Sequence, residues 1–390
     1  MIRKKICIIT GTRAEYGLLK PLIQKVKNDQ DFLVQLVVTG MHLSTEFGLT
    51  FNEIQKDGFQ IDEKIEILLS SDSAVAVSKA MGLAQISFSE MFNRTLPDMV
   101  IILGDRFEML AIAIAARIAN IPIIHLHGGE LTLGAYDDAF RHSITKLSTL
   151  HFTSTEKYKN RVIQMGEPPK QVFNVGALGV ESIHNLTLLT KTELENKLKF
   201  KFLGKNILVT YHPETDRNHS VEKQFNEILN ALKYFDDARI VFTKANADNG
   251  GRTINKMIDE HVKKNSHAVC FTSLGQLNYL SCLQYVDVVL GNSSSGIIEV
   301  PSFNIPTINV GDRQKGRVRA SQTIDVTLND GEIRSALNEA FLSKSKNEIV
   351  TNLNPYYQEN TAQKIVGILK KTNLDDLSQK SFYDIGDEDQ

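Results

Sequence analysis

The fold of this chain is indicated by residues 99–130, which read MVIILGDRFEMLAIAIAARIANIPIIHLHGGE. Met99–Leu103 is a short, continuously apolar run that predicts a strand, Leu110–Ala119 predicts a helix, and Ile121–Leu126 predicts a second strand. A strand that is apolar at every position is buried on both of its faces. The stretch therefore predicts a β-α-β unit within a parallel sheet that helices cover.

The same alternation extends on both sides of this stretch. A first series has strands at Ile6–Thr10, Leu33–Thr39, His151–Ser154 and Val172–Val175, and a second begins after a connector at Asn185–Lys205, with strands at Ile207–Tyr211, Arg239–Thr243, Ala268–Phe271, Val286–Leu290 and Thr307–Val310. The sequence thus predicts an α/β fold of two Rossmann-like domains facing across a cleft. We expect an N-terminal domain over 1–180, joined by a C-terminal helix at 361–380, and a nucleotide-binding domain over 181–360.

Composition limits the class of protein. A chain of 390 residues with 42% apolar content can build two hydrophobic cores. A formal net charge of −2 gives no overall attraction to nucleic acid or to an anionic membrane surface, so we expect neither partner. The three cysteines, Cys7, Cys270 and Cys282, are far apart and predict neither a disulfide framework nor a zinc site. No segment reads as a signal peptide or a membrane span, and we expect a cytoplasmic enzyme.

The first strand runs directly into Gly11-Thr12-Arg13-Ala14-Glu15-Tyr16-Gly17. Thr12 and Glu15 have the spacing of a capping box, in which each side chain bonds the other residue's backbone N–H. Arg13 would then lie in the first helical turn beside unpaired backbone N–H groups, where it could bind a diphosphate. The alternative is a structural turn with a solvated arginine. The segment lacks the G-x-G-x-x-G spacing, so a tightly bound dinucleotide is not predicted.

A second candidate site follows the strand that ends at Leu290. Ser293, Ser294 and Ser295, with Gly296 behind them, begin a predicted helix whose backbone and hydroxyl groups can bind phosphate oxygens. Glu299 lies about one and a half turns further on and could accept hydrogen bonds from ribose hydroxyls. The alternative is an ordinary serine N-cap with an exposed glutamate. Arg313 begins a basic loop that either closes over phosphates or is a solvated charge run.

Groups capable of proton transfer follow two strands of the first half and one of the second. Asp105 follows Met99–Leu103, and His125 and His127 flank Leu126, so that in an extended strand their side chains would point the same way. Glu130 and Asp137 follow closely, and His212 ends the first strand of the second half. General acid–base chemistry fits this set better than metal binding, because no second pair of histidines supports a metal site. Structural N-caps and packed core histidines are the alternatives.

Eight spaced motifs, taken together, resemble the hydrolysing UDP-N-acetylglucosamine 2-epimerases of bacterial sialic acid synthesis. They occur in collinear order over nearly the whole chain: Thr10–Gly17, Thr39–His42, Leu103–Arg106, His125–Glu130, Asp137–Lys146, Tyr211–Glu214, Gly291–Pro301 and Gly311–Arg317. The resemblance implies a two-domain glycosyltransferase-B-like fold. It also implies conversion of UDP-N-acetylglucosamine and water to N-acetylmannosamine and UDP, by elimination of UDP to 2-acetamidoglucal followed by hydration, without a nicotinamide, metal or other cofactor.

The resemblance assigns site residues by position. Asp105 and Asp137 match the family's catalytic carboxylates, while Arg13, His212, Ser293, Ser294, Glu299 and Arg313 match its nucleotide contacts. Arg106, Ser295 and Gly296 stand beside matched positions and join the substrate-binding candidates. Some relatives carry a catalytic glutamate where this chain has His127, so the second acid–base group is either His127 or Glu130. We expect His212 and Arg13 to stabilise the departing UDP.

Several alternatives remain open at the level of sequence. The same reaction could act on UDP-2,4-diacetamido-2,4,6-trideoxyglucose or on a GDP-linked sugar in legionaminic acid synthesis. A glycosyltransferase of similar fold and a non-catalytic nucleotide-sugar sensor are further possibilities. Relatives form dimers or tetramers, so we expect a homo-oligomer, with Leu110–Ala119 and Arg141–Leu150 as candidate contact helices.

Overall fold

The computed structural model describes residues 3–71, 73–132, 136–214, 220–245, 250–345, 354–374, 377 and 380–386. The chain divides into two compact units. The first unit comprises Met1–Glu130, Tyr136–Ser182 and Tyr356–Gln390, and the second comprises Leu131–Ala135 and Ile183–Pro355. The end of the chain therefore returns to the first unit.

The first part of the chain alternates strands and helices. Its strands are β1 (Lys4–Thr10), β2 (Phe32–Thr39), β3 (Glu63–Ile65), β4 (Met99–Leu103), β5 (Ile123–Leu126), β6 (Leu150–Thr153) and β7 (Val172–Asn174). Its helices are α1 (Arg13–Lys27), α2 (Phe51–Lys56), α3 (Ala74–Thr95), α4 (Phe107–Ile118), α5 (Asp137–Leu147), α6 (Glu156–Gln164) and α7 (Leu178–Asn185).

The second part repeats the pattern. Its strands are β8 (Asn206–Thr210), β9 (Arg239–Thr243), β10 (Ala268–Phe271), β11 (Val288–Gly291), β12 (Thr307–Val310) and β13 (Thr323–Val326). Its helices are α8 (Lys191–Leu198), α9 (Val221–Leu232), α10 (Gly251–Lys264), α11 (Gly275–Leu283), α12 (Ser294–Ile298) and α13 (Asp330–Ser345). The helix α14 (Thr361–Lys371) follows and packs on α1 in the first unit.

Both sheets are parallel throughout, and the predicted fold class of two parallel-sheet α/β domains is confirmed. The first sheet has the order β3-β2-β1-β4-β5-β6-β7 and the second β10-β9-β8-β11-β12-β13. In each sheet the strand order reverses direction between two neighbouring strands, β1 and β4 in the first and β8 and β11 in the second. Ligands bind at the carboxyl ends of strands at such a reversal. The candidate motifs after these four strands therefore lie where an α/β fold binds its ligands.

Burial on both faces explains the continuously apolar strands. In β1, Ile6 and Ile8 belong to a core with α1 and α14, whereas Cys7 and Ile9 belong to the core on the other face, with α3 and α4. The second sheet is covered in the same way, with Ile207 in one core and Leu208 in the other. Every position of β4 is buried.

Some elements differ from the sequence-based expectation. The predicted connector contains α8, which begins with a capping box between Thr190 and Glu193. The helix α3 and the short edge strand β13 were not predicted. The strand β13 is only partly buried and lacks the continuous apolar run of a central strand. At the end of the chain α14 spans Thr361–Lys371, within the predicted C-terminal segment 361–380, and residues 375, 376, 378 and 379 lie outside the described part. Among the described residues, no helix combines the length and apolar character needed to span a membrane.

Candidate active site

Arg141 connects the residues that follow β4 and β5. Its guanidinium donates to the backbone carbonyl of His127 at 2.8 Å through Nη1 and to the carboxylate of Asp105 through Nη2. The Arg141 side chain is 4% exposed and also lies 4.0 Å from Glu130. Because α5 carries Arg141, this helix holds the two strand ends together. The structure thus brings Asp105, His127 and Glu130 into one group. We name these three residues and Arg141 the proton-transfer cluster.

His127 adopts a left-handed backbone conformation with φ of 63°. The expectation that it continues an extended strand is therefore wrong, since β5 ends at Leu126. Its N–H donates to Phe152 O at 2.8 Å, and its carbonyl accepts from Arg141. Holding both backbone groups is what maintains a conformation that is costly for a residue with a side chain. The side chain consequently turns toward Glu130, with Nδ1 3.1 Å from Oε1.

Gly129 allows the loop after His127 to approach α6 closely. Its φ is 78°, and a Cβ atom there would lie 2.4 Å from the carbonyl oxygen of Tyr158. Arg161 of α6 donates to the Gly129 carbonyl. The loop that carries Glu130 is thereby fixed against α6.

His125 is a structural residue. Its Nε2 lies 2.8 Å from the carbonyl of Gly104, which can only accept, so Nε2 carries the proton. Its Nδ1 lies 3.1 Å from the hydroxyl of Thr145. Complete burial lowers the pKa of His125 to about 3, and the ring is neutral at physiological pH. Of the two histidines that flank Leu126, His127 is therefore the one suited to proton transfer.

Asp137 is the first residue of α5, one helical turn before Arg141. It is half-buried and lies next to Asp138, whose carboxylate is 3.6 Å from His142 on the same helix. The helix therefore presents an acidic first turn followed by Arg141 and His142.

The turn after β1 forms the predicted capping box of Thr12 and Glu15. The buried Glu15 carboxylate accepts from Gly11 N–H at 2.8 Å and from Thr12 N–H at 3.0 Å. These two amides are consequently not available to a phosphate, contrary to the expectation of unpaired groups there. Burial, together with the neighbouring Glu108, raises the pKa of Glu15.

The two arginines of the first unit's turns are each in an ion pair. Arg13 Nε lies 2.6 Å from Glu53, and Arg106 Nε lies 2.7 Å from the buried Glu108. Arg13 is the first residue of α1, after β1, and Arg106 is the N-cap residue of α4, after β4, where the strand order reverses.

In the second unit, Asn292 joins the ends of β8 and β11. Its side chain accepts from His212 N–H at 2.8 Å and donates to His212 O at 2.9 Å, and it is fully buried. Gly291 before it has φ of 137°, and a Cβ atom there would lie 1.9 Å from Thr210 O. This close approach fixes His212 beside the start of α12.

The serine motif forms the start of α12 as predicted, but the helix has only five residues. Ser293 is the N-cap residue and accepts from Ser295 N–H at 3.4 Å. Ser295 Oγ lies 2.5 Å from the hydroxyl of Tyr279, and Gly296 O accepts from Thr307 at 2.8 Å. Ser294 is the first helical residue, and Glu299 directly follows the helix. Burial, with a contribution from Glu299, raises the pKa of Tyr279, which therefore remains protonated.

Glu214 holds the loop after β12. Its Oε1 accepts from Arg313 N–H at 3.1 Å and lies 3.4 Å from Asn292 Nδ2. Gln314 donates to Asn292 O at 2.7 Å. The predicted basic loop is therefore tied by its backbone and by Gln314 to the residues between β8 and α12.

Sequence reasoning assigned no role to Arg141, Asn292 or Glu214, although all three lie within the motifs that it quoted. The available signal for Arg141 was an arginine one helical turn after the acidic pair Asp137 and Asp138. Asn292 follows a glycine at a strand end and precedes three serines. Asparagine, glycine and serine are all typical of N-caps, so no feature of the sequence singled out Asn292.

Similarity to known proteins shows which family this chain belongs to. The profile of the family described as UDP-N-acetylglucosamine 2-epimerase matches residues 24–370. The chain belongs to this family. Within it, the chain is 45% identical over 391 residues to the GDP/UDP-N,N'-diacetylbacillosamine 2-epimerase (hydrolyzing) of Campylobacter jejuni, covering 99% of this chain and 100% of the relative.

Two further relatives of this epimerase-family chain also match almost end to end. The polysialic acid biosynthesis protein P7 of Escherichia coli is 40% identical, with 98% of each chain covered. The UDP-N,N'-diacetylbacillosamine 2-epimerase (hydrolyzing) of Legionella pneumophila is 39% identical, with 96% of this chain and 97% of the relative covered.

The fold also matches solved structures. The UDP-GlcNAc 2-epimerase of Neisseria meningitidis, solved bound to UDP-GlcNAc, superposes with a TM-score of 0.78 at 21% identity over 94% of this chain and 100% of that one. This likeness supports the two-domain architecture.

Proposed function

We propose that this chain is a hydrolysing 2-epimerase that acts on UDP-2,4-diacetamido-2,4,6-trideoxyglucose, the UDP-linked form of N,N'-diacetylbacillosamine. The reaction would release UDP and the free sugar with inverted configuration at C2. The observation that carries the proposal is the identity of 45% and 39%, over nearly the full chain, to two relatives named for this activity. This substrate replaces UDP-N-acetylglucosamine, which the sequence motifs first suggested.

The proton-transfer cluster supports the chemistry that such a reaction requires. Asp105 is in an ion pair with Arg141 and so presents a carboxylate, the form that accepts a proton. In the elimination step we propose that Asp105 removes the proton from C2. The C2–H electron pair then forms the C1–C2 double bond, and the C1–O electron pair leaves with UDP. The products of this step are UDP and a glycal.

Hydration of the glycal needs a second proton-transfer group. We assign this role to His127, whose protonated ring would give a proton to C2 on the face opposite to the one that lost it. Water then bonds to C1, and its proton returns to the ring. Water is consumed, C2 is inverted and one proton is released to solvent from Asp105.

The residues between β8 and α12 are suited to hold the nucleotide. In the second unit we assign the diphosphate to His212, Ser293, Ser294, Ser295, Gly296 and Arg313, and the ribose to Glu299. For Arg13 and Arg106 of the first unit we keep the proposal that they bind the substrate. Backbone and hydroxyl donors at the start of a helix are the usual ligands of phosphate oxygens. We propose that Asp137, which lies one helical turn before Arg141, orients the reacting groups or relays protons.

UDP-N-acetylglucosamine is the second candidate substrate, favoured by the description of the family that matches residues 24–370. The two substrates differ at C4 and C6 of the sugar. A direct comparison of turnover therefore separates them.

The test is to incubate the purified protein with UDP-2,4-diacetamido-2,4,6-trideoxyglucose, its GDP-linked form and UDP-N-acetylglucosamine, and to identify the released sugar by NMR. We expect the diacetamido UDP-sugar to give the highest kcat/KM and a free 2-epimer. The Asp105→Asn variant should lose this activity while still giving a cooperative thermal unfolding transition, which shows that the loss is not a failure to fold. Faster turnover of UDP-N-acetylglucosamine, or full activity of Asp105→Asn, contradicts the proposal.

A further inference from the structure

The side chain of His127 is held on one of its two nitrogens. Nδ1 lies 3.1 Å from Glu130 Oε1, and the same oxygen accepts from Ser154 Oγ at 2.8 Å. The other nitrogen, Nε2, is buried and has no hydrogen-bond partner among the residues that the structure describes. The two nitrogens of this ring are therefore in different chemical situations.

As a carboxylate, Glu130 can only accept hydrogen bonds, so the ring nitrogen that faces it must be the donor. Its side chain is 2% exposed and lies 4.0 Å from Arg141, and the Ser154 hydroxyl already donates to the oxygen that faces the ring. A neutral ring in this setting keeps its proton on Nδ1, so Nε2 carries the lone pair. In the protonated ring, Nε2 is the nitrogen that gives up its proton.

The backbone around His127 is held in one conformation, which fixes the position of the ring relative to Glu130. The left-handed φ of 63° is held by the bonds to Phe152 and Arg141, and Gly129 fixes the following loop against α6. Glu130 thus meets the ring from a loop that is anchored on both sides.

We infer that Glu130 is a positioning residue which, with Ser154, fixes the tautomer of His127 so that Nε2 is the atom that exchanges protons with the sugar. This inference rests on the proposed function for its role in turnover. It separates two residues that the sequence left as equal candidates for the second acid–base group. During hydration the proton on Nε2 forms the new C2–H bond, and the proton of the attacking water returns to Nε2, while Nδ1–H stays bonded to Glu130.

The Glu130→Gln variant tests the tautomer. Arg141 beside Oε2 favours the amide oxygen at that position, which leaves the NH₂ group facing Nδ1. The amide would donate to Nδ1 and move the ring proton to Nε2. We expect two-bond ¹⁵N–¹H NMR of histidine-labelled protein, at a pH where the ring is neutral, to show Nδ1–H in the native chain and Nε2–H in the variant. The His127→Gln variant assigns the signals.

Kinetics supply the second measurement. On whichever nucleotide sugar the native chain turns over, Glu130→Gln should lower kcat by about 10²-fold with KM little changed, because ground-state binding does not use the tautomer. Glu130→Asp keeps the charge and should recover part of kcat, and Ser154→Ala should cost only several-fold. Thermal unfolding checks that each variant is folded.

The outcomes are distinct. A native ring with its proton on Nε2, or an unchanged kcat in Glu130→Gln, overturns the inference. If the native ring carries Nδ1–H but no nucleotide sugar is turned over, the proposed function fails and the catalytic use of Nε2 fails with it, while the fixed tautomer stands.

Discussion

At the scale of single residues, Arg141 does the most to shape the candidate site. One guanidinium binds the Asp105 carboxylate and the His127 carbonyl, which lie after two different strands. The planar guanidinium presents its donors in a rigid fork that matches both acceptors, whereas a lysine ammonium is a compact charge on a flexible chain. The positions of two residues to which we assign proton transfer thus depend on one side chain.

The Arg141→Lys variant should therefore lose activity although its charge is kept. We expect kcat/KM to fall by at least about 10²-fold, because small displacements of reacting groups are costly. Steady-state kinetics measures this. Arg94→Lys is the matched control, since Arg94 pairs with Glu63 at an exposed position and should change nothing. Near-native kinetics of Arg141→Lys would show that the two hydrogen bonds of the Arg141 guanidinium are not needed for activity.

At the scale of elements, the contact between β8 and β11 positions the nucleotide-binding candidates. Gly291 permits it, because its φ of 137° and the nearby Thr210 carbonyl leave no room for a side chain. Asn292 then bonds to both backbone groups of His212. A change at Gly291 consequently acts on the strand pair and on His212 together.

We expect Gly291→Ala to destabilise the chain by at least about 3 kcal/mol, because the added methyl group requires the two strands to move apart. Urea-induced unfolding measures this. The matched control is Gly82→Ala in α3, where nothing lies within 4 Å of the added Cβ and helix propensity predicts a gain of about 1 kcal/mol. Equal stability of the two variants would argue against a close approach of β8 and β11.

At the scale of the whole molecule, buried histidines make stability depend on pH. His42, His125 and His151 of the first unit are fully buried, and burial lowers the pKa of each. An unfolded histidine binds a proton near pH 6.5, whereas folded His42 binds one only near pH 4. Between these values the unfolded chain holds more protons, so stability falls as the pH is lowered.

Replacing His42 with glutamine should reduce this loss of stability. The histidine contributes up to about 3 kcal/mol to the fall between pH 6.5 and 4, and the variant should lack that contribution. Urea unfolding at several pH values gives the slope. Thr50→Val is the matched control, because it removes the hydroxyl that contacts His42 Nδ1 but keeps the imidazole, so its slope should stay near that of the native chain. An unchanged slope in His42→Gln would contradict the argument.

The sequence by itself determined the parallel α/β class, most of the central strands and the places where functional groups follow them. These features are local, since burial on both faces demands apolar residues at every strand position and a turn after each strand demands glycine or a capping side chain. Thr12 and Glu15 show this, because their spacing alone predicted the capping box that forms.

Only the tertiary structure decided which of these groups meet and in what chemical state. Arg141 reaches Asp105 from 36 positions away, and Asn292 reaches His212 from 80 positions away. Such contacts follow from strand order, which no periodicity in the sequence encodes. The same holds for the two histidines around Leu126, because burial makes His125 structural, whereas a left-handed turn and Glu130 orient His127.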